Sequence, residues 1–328
     1  MFVLGIQGSP REKGNSSILL SHFLTASKQL GAEIEILEVA SKKITPCIAC
    51  GNCEREGFCG INDDMQAIYP LLWKADIIVV ATPIFFYSVP AQLKALIDRT
   101  QALWARKYRH KIFDPLCRWR KGYFLAVGAT KGEKLFSGVS LTIKYFFEAI
   151  GANYEGSLTF RGVEKSGEIN QHPEALKEAQ MHATSLVTPL ISRKKILFID
   201  EGNSDQSQLA QALVQFYGGD KIEAESVGTA PAEKINEQVI KAMKKRGIDL
   251  AFRQPKSFHQ LSPSFRPDLI IVLGNTQNLY PAFSSVPRQD WEFSSTGKSL
   301  EATIELTSGI EKKIKNFLAQ LTLYKTNS

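Results

Sequence analysis

The stretch Phe2-Val-Leu-Gly-Ile-Gln-Gly-Ser-Pro-Arg-Glu-Lys-Gly-Asn-Ser-Ser17 decides the fold, because it runs from a strand through a polar loop into a helix. Residues 2–7 are an apolar run that predicts a short buried strand. An apolar-periodic helix follows the loop 8–17, from about Ile18 to Leu30. Backbone N–H groups converge in such a loop and a helix N-terminus favours an anion, so the sequence predicts a phosphate cradle. A simple capped turn, with Asn15 or Ser16 as the N-cap, is the alternative.

The alternation of strands and helices continues along the first half of the chain. Further strands are predicted at 33–39, 76–82, 123–127 and 153–160. Five strands alternating with helices predict an α/β fold with a doubly wound parallel sheet. Ligands of such a sheet bind beyond the carboxyl ends of the strands, between strands one and three. The loops 8–17, 83–90 and 128–136 lie at that edge, as does the loop after strand two.

The loop after the third strand is crowded with aromatic side chains, although loops are normally polar. It runs Pro83-Ile-Phe-Phe-Tyr-Ser-Val-Pro90 and precedes a helix predicted from Ala91 to about Leu103. Two interpretations are open. The aromatics pack locally under the loop, or they form a wall for a planar ring.

Four of the five cysteines lie in the loop after the second strand, spaced C-x2-C-x2-C-x5-C as Cys47, Cys50, Cys53 and Cys59. Two intervening residues let neighbouring sulfurs turn toward a common centre, and bacterial ferredoxins use a similar compact run for iron–sulfur ligation. Structural zinc sites more often split into two separated C-x-x-C pairs. The spacing favours a 4Fe–4S cluster over zinc, and cysteines without metal are the third interpretation. Disulfides are disfavoured, because no signal peptide precedes the first strand.

Composition narrows the class of protein. The 328 residues are 44% hydrophobic and 22% charged, which suits a globular chain of two domains. No apolar run approaches the roughly 18 residues that span a membrane, so we expect no membrane partner and a cytoplasmic location, where thiols stay reduced. The formal net charge of +7 fits an anionic cofactor or an acidic protein partner, and by itself does not indicate nucleic acid.

The segment 99–121 interleaves basic and aromatic side chains. Such a pattern is able to bind single-stranded nucleic acid, but it is more often a solvated excursion whose aromatics pack in an interface. We therefore favour an acidic electron-transfer partner, the phosphate of a nicotinamide cofactor or an oligomer contact over nucleic acid. The basic residues are Arg99, Arg106, Lys107, Arg109, Lys111, Arg118, Arg120 and Lys121, and the aromatics include Trp104, Tyr108, Phe113 and Trp119.

A second alternation of strands and helices begins after the basic run 193–195. Strands are predicted at 196–199, 222–227 and 268–273, and a terminal amphipathic helix from about Leu300 to Leu323. The sequence therefore predicts a second, smaller α/β domain. We place the two domains at 1–190 and 194–328.

Residues 1–185 resemble the flavodoxin-like NAD(P)H-dependent FMN reductase superfamily, specifically its iron–sulfur flavoprotein branch. The resemblance implies a flavodoxin-like doubly wound parallel sheet, and a homo-oligomer in which a 4Fe–4S cluster lies near a flavin. It is carried by Gly8-Ser-Pro-Arg11, Gly14-Asn-Ser16, the four spaced cysteines, Asp63-Asp-Met65, Thr82-Pro-Ile-Phe-Phe86, Val89-Pro-Ala-Gln-Leu-Lys94 and Asp98-Arg99.

The same resemblance implies site residues. The FMN phosphate would be surrounded by Ser9, Arg11, Asn15, Ser16 and Ser17. The isoalloxazine would be framed by Pro83, Ile84, Phe85, Phe86, Tyr87, Ser88, Gly128, Ala129, Thr130 and Lys131. The cluster would be held by Cys47, Cys50, Cys53 and Cys59.

The second domain resembles the low-molecular-weight protein tyrosine phosphatases and the related arsenate reductases. That family needs a nucleophilic cysteine at the end of the first strand and an arginine six residues on, where this sequence has Asp200 and Gln206. Its usual acidic residue after the tryptophan motif is also missing, since Glu292-Phe-Ser-Ser295 stands there. Without a thiolate or a guanidinium we predict a catalytically silent domain. The resemblance is carried by Gly202-Asn-Ser204, Ser207-Gln-Leu-Ala210, Ser226-Val-Gly-Thr229, Gly247-Ile-Asp249, the run 268–273 and Trp291.

Together these features predict a flavin-dependent oxidoreductase. Electrons would pass from NAD(P)H or a protein donor such as ferredoxin, through FMN and the cluster, to a small-molecule or protein acceptor. The alternative is a redox-responsive binding protein whose silent domain engages a partner. A phosphatase or arsenate reductase is disfavoured by Asp200 and Gln206.

Overall fold

The computed structural model describes residues 1–274, 283–293 and 299–326, and for 322–326 it describes the backbone alone. The chain divides into two compact units. The first comprises Met1–Lys111 and Cys117–Ser192, and the second comprises Ile112–Leu116 and Arg193–Ser328. Residues 112–116, which the sequence assigns to the first domain, therefore lie within the second unit.

The first unit is built on a five-stranded parallel sheet in the order β2-β1-β3-β4-β5. This is the predicted flavodoxin-like order, which reverses direction between β1 and β3. Because all strands are parallel, the loops that follow them lie at one edge of the sheet. The strands are β1 (Phe2–Gln7), β2 (Glu33–Glu38), β3 (Ile77–Pro83), β4 (Lys121–Gly128) and β5 (Asn153–Arg161).

Helices cover the sheet of the first unit. Helices α1 (Asn15–Gln29) and α7 (Ala175–Ile191) form one core with strand side chains such as Val79 and Leu125. Successive strand residues point to opposite faces, and β3 is buried at every position from Ile77 to Thr82. Both faces are therefore covered, which explains the nearly continuous apolar run in β3. Further helices are α2 (Asn52–Glu56), α3 (Met65–Lys74) and α6 (Ser137–Ala149).

Helix α1 begins at Asn15, three residues earlier than predicted. Its N-cap is Gly14, in an extended conformation, and no side chain caps the helix. The prediction of Asn15 or Ser16 as the N-cap is wrong, because both residues lie inside the first turn. The Asn15 amide makes long-range hydrogen bonds to residues 165 and 169 in place of a local cap.

The helix predicted from Ala91 to about Leu103 is two helices, α4 (Ala91–Arg99) and α5 (Gln101–Tyr108). Thr100 lies between them, and its hydroxyl donates to the carbonyl of Ile97 at 2.6 Å. Such a local side-chain bond competes with the regular ladder of a helix. The first part of the basic segment 99–121 is therefore helical.

The second unit is built on a four-stranded parallel sheet in the order β7-β6-β8-β9. Strand β9 was not predicted, because Arg-Gln-Asp-Trp has no apolar alternation and only its last residue is buried. The strands are β6 (Lys194–Asp200), β7 (Ile222–Gly228), β8 (Leu269–Leu273) and β9 (Arg288–Trp291). The helices are α8 (Gln206–Gly218), α9 (Glu237–Lys245) and α10 (Leu300–Thr326).

The segment 112–116 joins the second unit by backbone pairing. Phe113 forms a parallel bridge with Ile248. The N–H of Phe113 donates to the carbonyl of Gly247 at 2.7 Å, and the N–H of Asp249 donates back to Phe113 at 2.9 Å. The second unit is thus built from two separate parts of the chain.

The longest described helix is α10, with 27 residues that include many charged side chains. Neither this helix nor any other in the described ranges combines the length and the apolar character needed to cross a membrane.

Candidate functional site

Four loops of the first unit are joined by backbone hydrogen bonds at the carboxyl edge of its sheet. The loop after β1 meets the end of β3 where the N–H of Gly8 donates to the carbonyl of Ala81 at 2.8 Å. The loops after β4 and β5 meet where the N–H of Val163 donates to the carbonyl of Gly128 at 3.1 Å. The predicted site loops are therefore neighbours in the fold.

The loop 8–17 is held in shape by its own hydroxyl groups. The N–H of Arg11 donates to Ser9 Oγ at 3.1 Å, and Ser17 Oγ donates to the carbonyl of Arg11 at 3.3 Å. The hydroxyl of Ser16, a residue only 2% exposed, makes no hydrogen bond to the described residues. The N–H groups in the first turn of α1 lack intrahelical partners. This loop therefore keeps donors available for an anion.

Asn15 ties this loop to the segment that follows β5. Its Nδ2 donates to the carbonyl of Lys165 at 2.9 Å, and its Oδ1 accepts from the N–H of Ile169 at 3.3 Å. The Ser166 hydroxyl donates to the carbonyl of Lys13 at 2.9 Å. Sequence reasoning missed this segment, because it is polar and carries no recognisable motif.

The loop after β3 contains a tight turn whose two central residues are aromatic. Phe85 and Ser88 exchange two backbone hydrogen bonds of 2.9 Å. Between them, Phe86 and Tyr87 have φ angles of 48° and 62°. Two positive φ angles are typical of a type I′ turn, which favours Asn-Gly because bulky side chains are strained there.

These aromatic side chains are also exposed. Phe86 is 102% exposed, Tyr87 55% and Phe85 46%. Local packing under the loop therefore does not account for them. Strained residues held in the left-handed region cluster at ligand sites, so the geometry favours the second interpretation, a wall for a planar ring.

The loop after β4 lies beside the aromatic turn. A Cβ atom on Gly132, in this loop, would lie 3.7 Å from the hydroxyl of Tyr87, and one on Gly138, in the first turn of α6, would lie 2.8 Å from the carbonyl oxygen of Tyr87. The carbonyl of Thr130 accepts from the N–H of Gly162 at 3.3 Å. A Cβ atom on Gly128 would lie 3.5 Å from Cγ1 of Ile84, so the two sets of residues predicted to frame one ring, 83–88 and 128–131, are in contact at this point.

The four spaced cysteines lie in one loop between β2 and α3. All are free thiols, with Cys47 and Cys50 exposed and Cys53 and Cys59 half-buried. Burial raises the pKa of Cys53 above its usual value, and the neighbouring charges of the other three thiols raise it further against an opposing backbone hydrogen bond. Cys53 therefore interacts electrostatically with each of the other three cysteines.

The donors of this loop fit an iron–sulfur cluster by their chemistry, since four cysteines are the usual ligand set and each thiolate binds its own iron. Among the residues that the structure describes, no three His, Cys, Asp or Glu side chains form a site for a single metal ion. The residues that would hold a cluster are Cys47, Cys50, Cys53 and Cys59.

A buried ion pair ties the two ends of the cysteine loop together. Nη1 of Arg99 lies 2.7 Å from Asp63 Oδ2 and donates to the carbonyl of Thr45 at 2.8 Å. Nη2 donates to the carbonyl of Ile61 at 3.2 Å and to Asp63 Oδ1 at 3.1 Å. Burial opposes ionisation of Asp63, but hydrogen bonds from Arg99 and from the N–H groups of Thr45 and Met65 hold its pKa below the usual value.

A second arginine braces the tip of the cysteine loop. Arg106 is buried, its Nη1 donates to the carbonyl of Gly57 at 2.9 Å, and its guanidinium stacks 4.3 Å from the centre of the Phe58 ring. Nε2 of His110 lies 3.3 Å from the carbonyl oxygen of Cys53. Helix α5 and the residues just after it therefore support the loop between Cys53 and Cys59.

Three arginines of the basic segment 99–121 are buried, which corrects its interpretation as a solvated excursion. Arg99 and Arg106 brace the cysteine loop, and Arg120, only 1% exposed, donates to three backbone carbonyls. Sequence reasoning treats such residues as surface charges, because arginine is seldom fully buried unless paired. Their partners are distant in sequence and gave no local signal.

In the second unit, the loop after β6 lies where the phosphatase family binds phosphate. Its backbone N–H groups donate hydrogen bonds to a carboxylate of the protein. Asp200 is buried and accepts from the N–H of Asn203 through Oδ1 and from the N–H of Ser207 through Oδ2, the latter at 2.9 Å. Burial raises the pKa of Asp200, and these hydrogen bonds oppose that rise. Donors that an anion would need are thus already used within the protein.

The other positions of the phosphatase pattern give no replacement chemistry. Gln206 is half-buried, and its Oε1 has no hydrogen-bond partner in the described ranges. Trp291 is buried in the core of the unit. Ser294 and Ser295, at the predicted general-acid position, lie outside the described residues.

Two family models match the chain. The model of the NADPH-dependent FMN reductases matches residues 1–135. The model of the low molecular weight phosphotyrosine protein phosphatases matches residues 195–286. The first match falls in the first unit apart from residues 112–116, and the second match falls in the second unit.

Curated relatives of the chain include iron–sulfur flavoproteins and an arsenate reductase. An iron–sulfur flavoprotein of Methanocaldococcus jannaschii is 43% identical over 103 residues, 31% of this chain and 53% of the relative. An iron–sulfur flavoprotein of Archaeoglobus fulgidus is 31% identical over 220 residues, 66% of this chain and 93% of the relative. An arsenate reductase of Halalkalibacterium halodurans is 30% identical over 128 residues, 38% of this chain and 90% of the relative. The match thus spans about half the length of the first relative and most of the other two.

Because the turn at Phe86 and Tyr87 is strained, relief of the strain should raise stability and weaken binding of a planar ligand. We expect Phe86→Asn combined with Tyr87→Gly to raise the free energy of unfolding of the first unit by about 1–2 kcal/mol, because Asn-Gly relieves the strain of two left-handed residues. The same change should weaken retention of a planar ligand. Urea denaturation and ligand content measure the two effects. Tyr145→Asn, at an exposed aromatic on α6, is the control and should give no gain. Lower stability of the double variant would contradict the strain.

The carboxylate in the second unit predicts an absence of phosphatase chemistry. We expect neither aryl-phosphate hydrolysis nor arsenate reduction from the full chain, and none from Asp200→Cys alone, because Gln206 cannot supply the charged bidentate contact of arginine. Adding Gln206→Arg should give binding of inorganic phosphate, measured by calorimetry. The full chain is used because residues 112–116 complete this unit. Hydrolysis by the wild-type chain that Asp200→Ala abolishes would instead make Asp200 catalytic.

Proposed function

The chain belongs to the iron–sulfur flavoprotein family, and from that membership we propose that it is an FMN-dependent oxidoreductase with a cysteine-ligated 4Fe–4S cluster. One observation carries the proposal. At the carboxyl edge of one sheet, a loop with free anion donors lies next to a strained and exposed aromatic turn. Such a combination suits a cofactor that has a phosphate at one end and a planar ring at the other.

The FMN phosphate is assigned to the loop 8–17. The Ser16 hydroxyl and the N–H groups at the start of α1 supply donors, and the helix dipole favours the negative charge. Arg11 is exposed in the same loop, without an ion-pair partner among the described residues. The side chains of Ser9, Asn15 and Ser17 shape the loop through the hydrogen bonds described above. The aromatic turn 85–87 and the loop 128–131 would hold the ring.

The cysteine loop is assigned to the cluster. When bound, the flavin and the cluster supply two-electron and one-electron transfer, chemistry that side chains alone do not provide. The chain contributes the four thiolates and the buried arginines that hold their loop. All five cysteines are free, and we propose that the protein works in the cytoplasm, where thiols stay reduced.

The electron donor in this proposal is NAD(P)H or ferredoxin, and the acceptor is a small molecule or a protein. The basic residues that remain exposed in 99–121, such as Arg109 and Lys111, suit an acidic partner or a cofactor phosphate. Their role in contacting nucleic acid is disfavoured, because the arginines of this segment that support the cysteine loop are buried.

We also propose a homo-oligomer. Helix α6 exposes Leu141 by 58% and Tyr145 by 64%. Beside it lies a groove of about 490 Å³ whose lining includes Trp104 and Phe146. Apolar and aromatic side chains that cluster on a surface are typical of subunit contacts.

The second candidate function is a redox-responsive binding protein. The carboxylate of Asp200 within the phosphate-loop position favours it, because a domain without catalytic groups is retained in the chain. In that case the second unit binds a partner under control of the flavin or the cluster. Steady-state turnover with NAD(P)H and artificial acceptors separates the two candidates, since only the oxidoreductase turns over at a sustained rate.

The phosphate assignment predicts the effect of a new charge. We expect Ser16→Asp to weaken FMN affinity at least about tenfold, because like charges 4 Å apart repel by about 4 kcal/mol at an effective dielectric constant of 20. Fluorescence titration of the FMN-free protein measures the affinity. Ser21→Asp, at an exposed position on the same helix, is the matched control and should have little effect. Unchanged FMN affinity in Ser16→Asp would move the phosphate elsewhere.

The cluster assignment predicts a metal count. Anaerobically purified protein should contain about four irons per chain, as a cubane requires. Cys50→Ser should lower iron and sulfide while FMN content stays the same. Cys117→Ser is the control, because this cysteine lies outside the loop, and it should keep its iron. Stoichiometric zinc, or iron-free wild-type protein after anaerobic reconstitution, would reject the cluster.

A further inference from the structure

The side chain of Arg99 is buried beside the cysteine loop and forms hydrogen bonds to both of its ends. It is 1% exposed, and four hydrogen bonds from its two terminal nitrogens reach Thr45, Ile61 and both oxygens of Asp63. Thr45 precedes the first cysteine by two residues, and Ile61 follows the last by two. One guanidinium therefore fixes both ends of the loop that carries all four thiols.

The third nitrogen of this guanidinium, Nε, differs from the two terminal nitrogens. The Nε–H of Arg99 is buried and has no hydrogen-bond partner in the part of the chain that the structure describes. A buried donor without a partner is unfavourable. It therefore indicates an acceptor that the polypeptide alone does not supply.

Cys59 interacts electrostatically with the guanidinium of Arg99. Burial acts to lower the pKa of Arg99, but Asp63 and then the charge of Cys59 raise it above its usual value. The same cysteine interacts with Tyr69, whose hydroxyl donates to the carbonyl of Arg99 at 2.8 Å. Cys59 thus interacts with both the guanidinium of Arg99 and the hydroxyl of Tyr69.

We propose that Arg99 is a positioning residue for the cluster, whose Nε–H donates a hydrogen bond to sulfur at the Cys59 corner while its two terminal nitrogens hold the loop ends. The proposal rests on the cluster assigned under the proposed function. Hydrogen bonds to the sulfurs of a cluster tune its reduction potential. A donated N–H stabilises added negative charge, so Arg99 raises the potential.

The test compares Arg99→Lys with wild-type protein. Lysine keeps the positive charge but lacks the Nε–H and the planar fork. We expect the reduction potential of the cluster to fall by about 59 mV, which corresponds to a tenfold change in a one-electron equilibrium. In metal-free protein, amides of 45–61 should exchange with deuterium about tenfold faster, because the loop ends are released.

Two further variants keep the test decisive. Arg266→Lys, at an exposed position in the second unit, is the matched control and should leave both the potential and the exchange unchanged. Asp63→Asn keeps Arg99 but weakens its anchor, and should give intermediate shifts if Arg99→Lys does not fold. Retained FMN reports that a variant has folded.

The outcomes separate the two proposals. Iron-free wild-type protein would reject the cluster itself, before any variant is compared. With iron present, an Arg99→Lys protein whose potential and loop exchange both match wild type overturns the role of Arg99. A fall in iron content with unchanged loop exchange in the metal-free protein also overturns it, since the loop ends would then be held by other contacts.

Discussion

The ion pair between Arg99 and Asp63 is the interaction on which the geometry of the cysteine loop depends. A buried pair adds little net stability, because desolvation offsets the attraction, and its value lies in specifying one arrangement. Here it specifies the path of an irregular segment that no sheet ladder or long helix holds. The carboxylate also accepts from the N–H of Thr45 and Met65, so it fixes the loop entrance and the start of α3 together. Four thiols thereby gain a defined frame without any contribution from metal.

The strands of the first unit were predictable from sequence, because turn residues separate them and the central ones are short apolar runs, and their order is the one that the resemblance to the flavodoxin-like family implies. The same reasoning misplaced features that depend on distant partners. Helix α1 starts at Asn15 because that amide is satisfied 150 residues away, which no local pattern shows. The pairing of Arg99 with Asp63 spans 36 residues, so its guanidinium resembled an ordinary surface charge in the sequence. Strand β9 lacks apolar alternation and is recognised by its parallel pairing with β8.

The candidate sites also combine features that the sequence predicts with features that only the structure shows. Sequence located the aromatic loop, but the left-handed backbone of Phe86 and Tyr87 follows from the two hydrogen bonds that close the turn. Sequence also indicated that Asp200 opposes phosphate, through charge alone. The structure adds a second reason, since the carboxylate takes the N–H groups of Asn203 and Ser207. Residue types predicted the chemistry, and backbone geometry explains how it is positioned.

The pairing of residues 112–116 with 247–249 has a consequence for synthesis of the chain. Residue 113 leaves the ribosome long before its partners exist, roughly ten seconds earlier at ordinary elongation rates. During that interval Phe113 lacks the two backbone hydrogen bonds that it makes with residues 247 and 249, while the strands of the first sheet are complete in sequence by Arg161. The backbone N–H and C=O of Phe113 are therefore open to water or to other chains until those partners have been made. The second unit can therefore complete its own fold only after residues 247–249 have been made, although residues 112–116 precede the end of the first unit in the sequence.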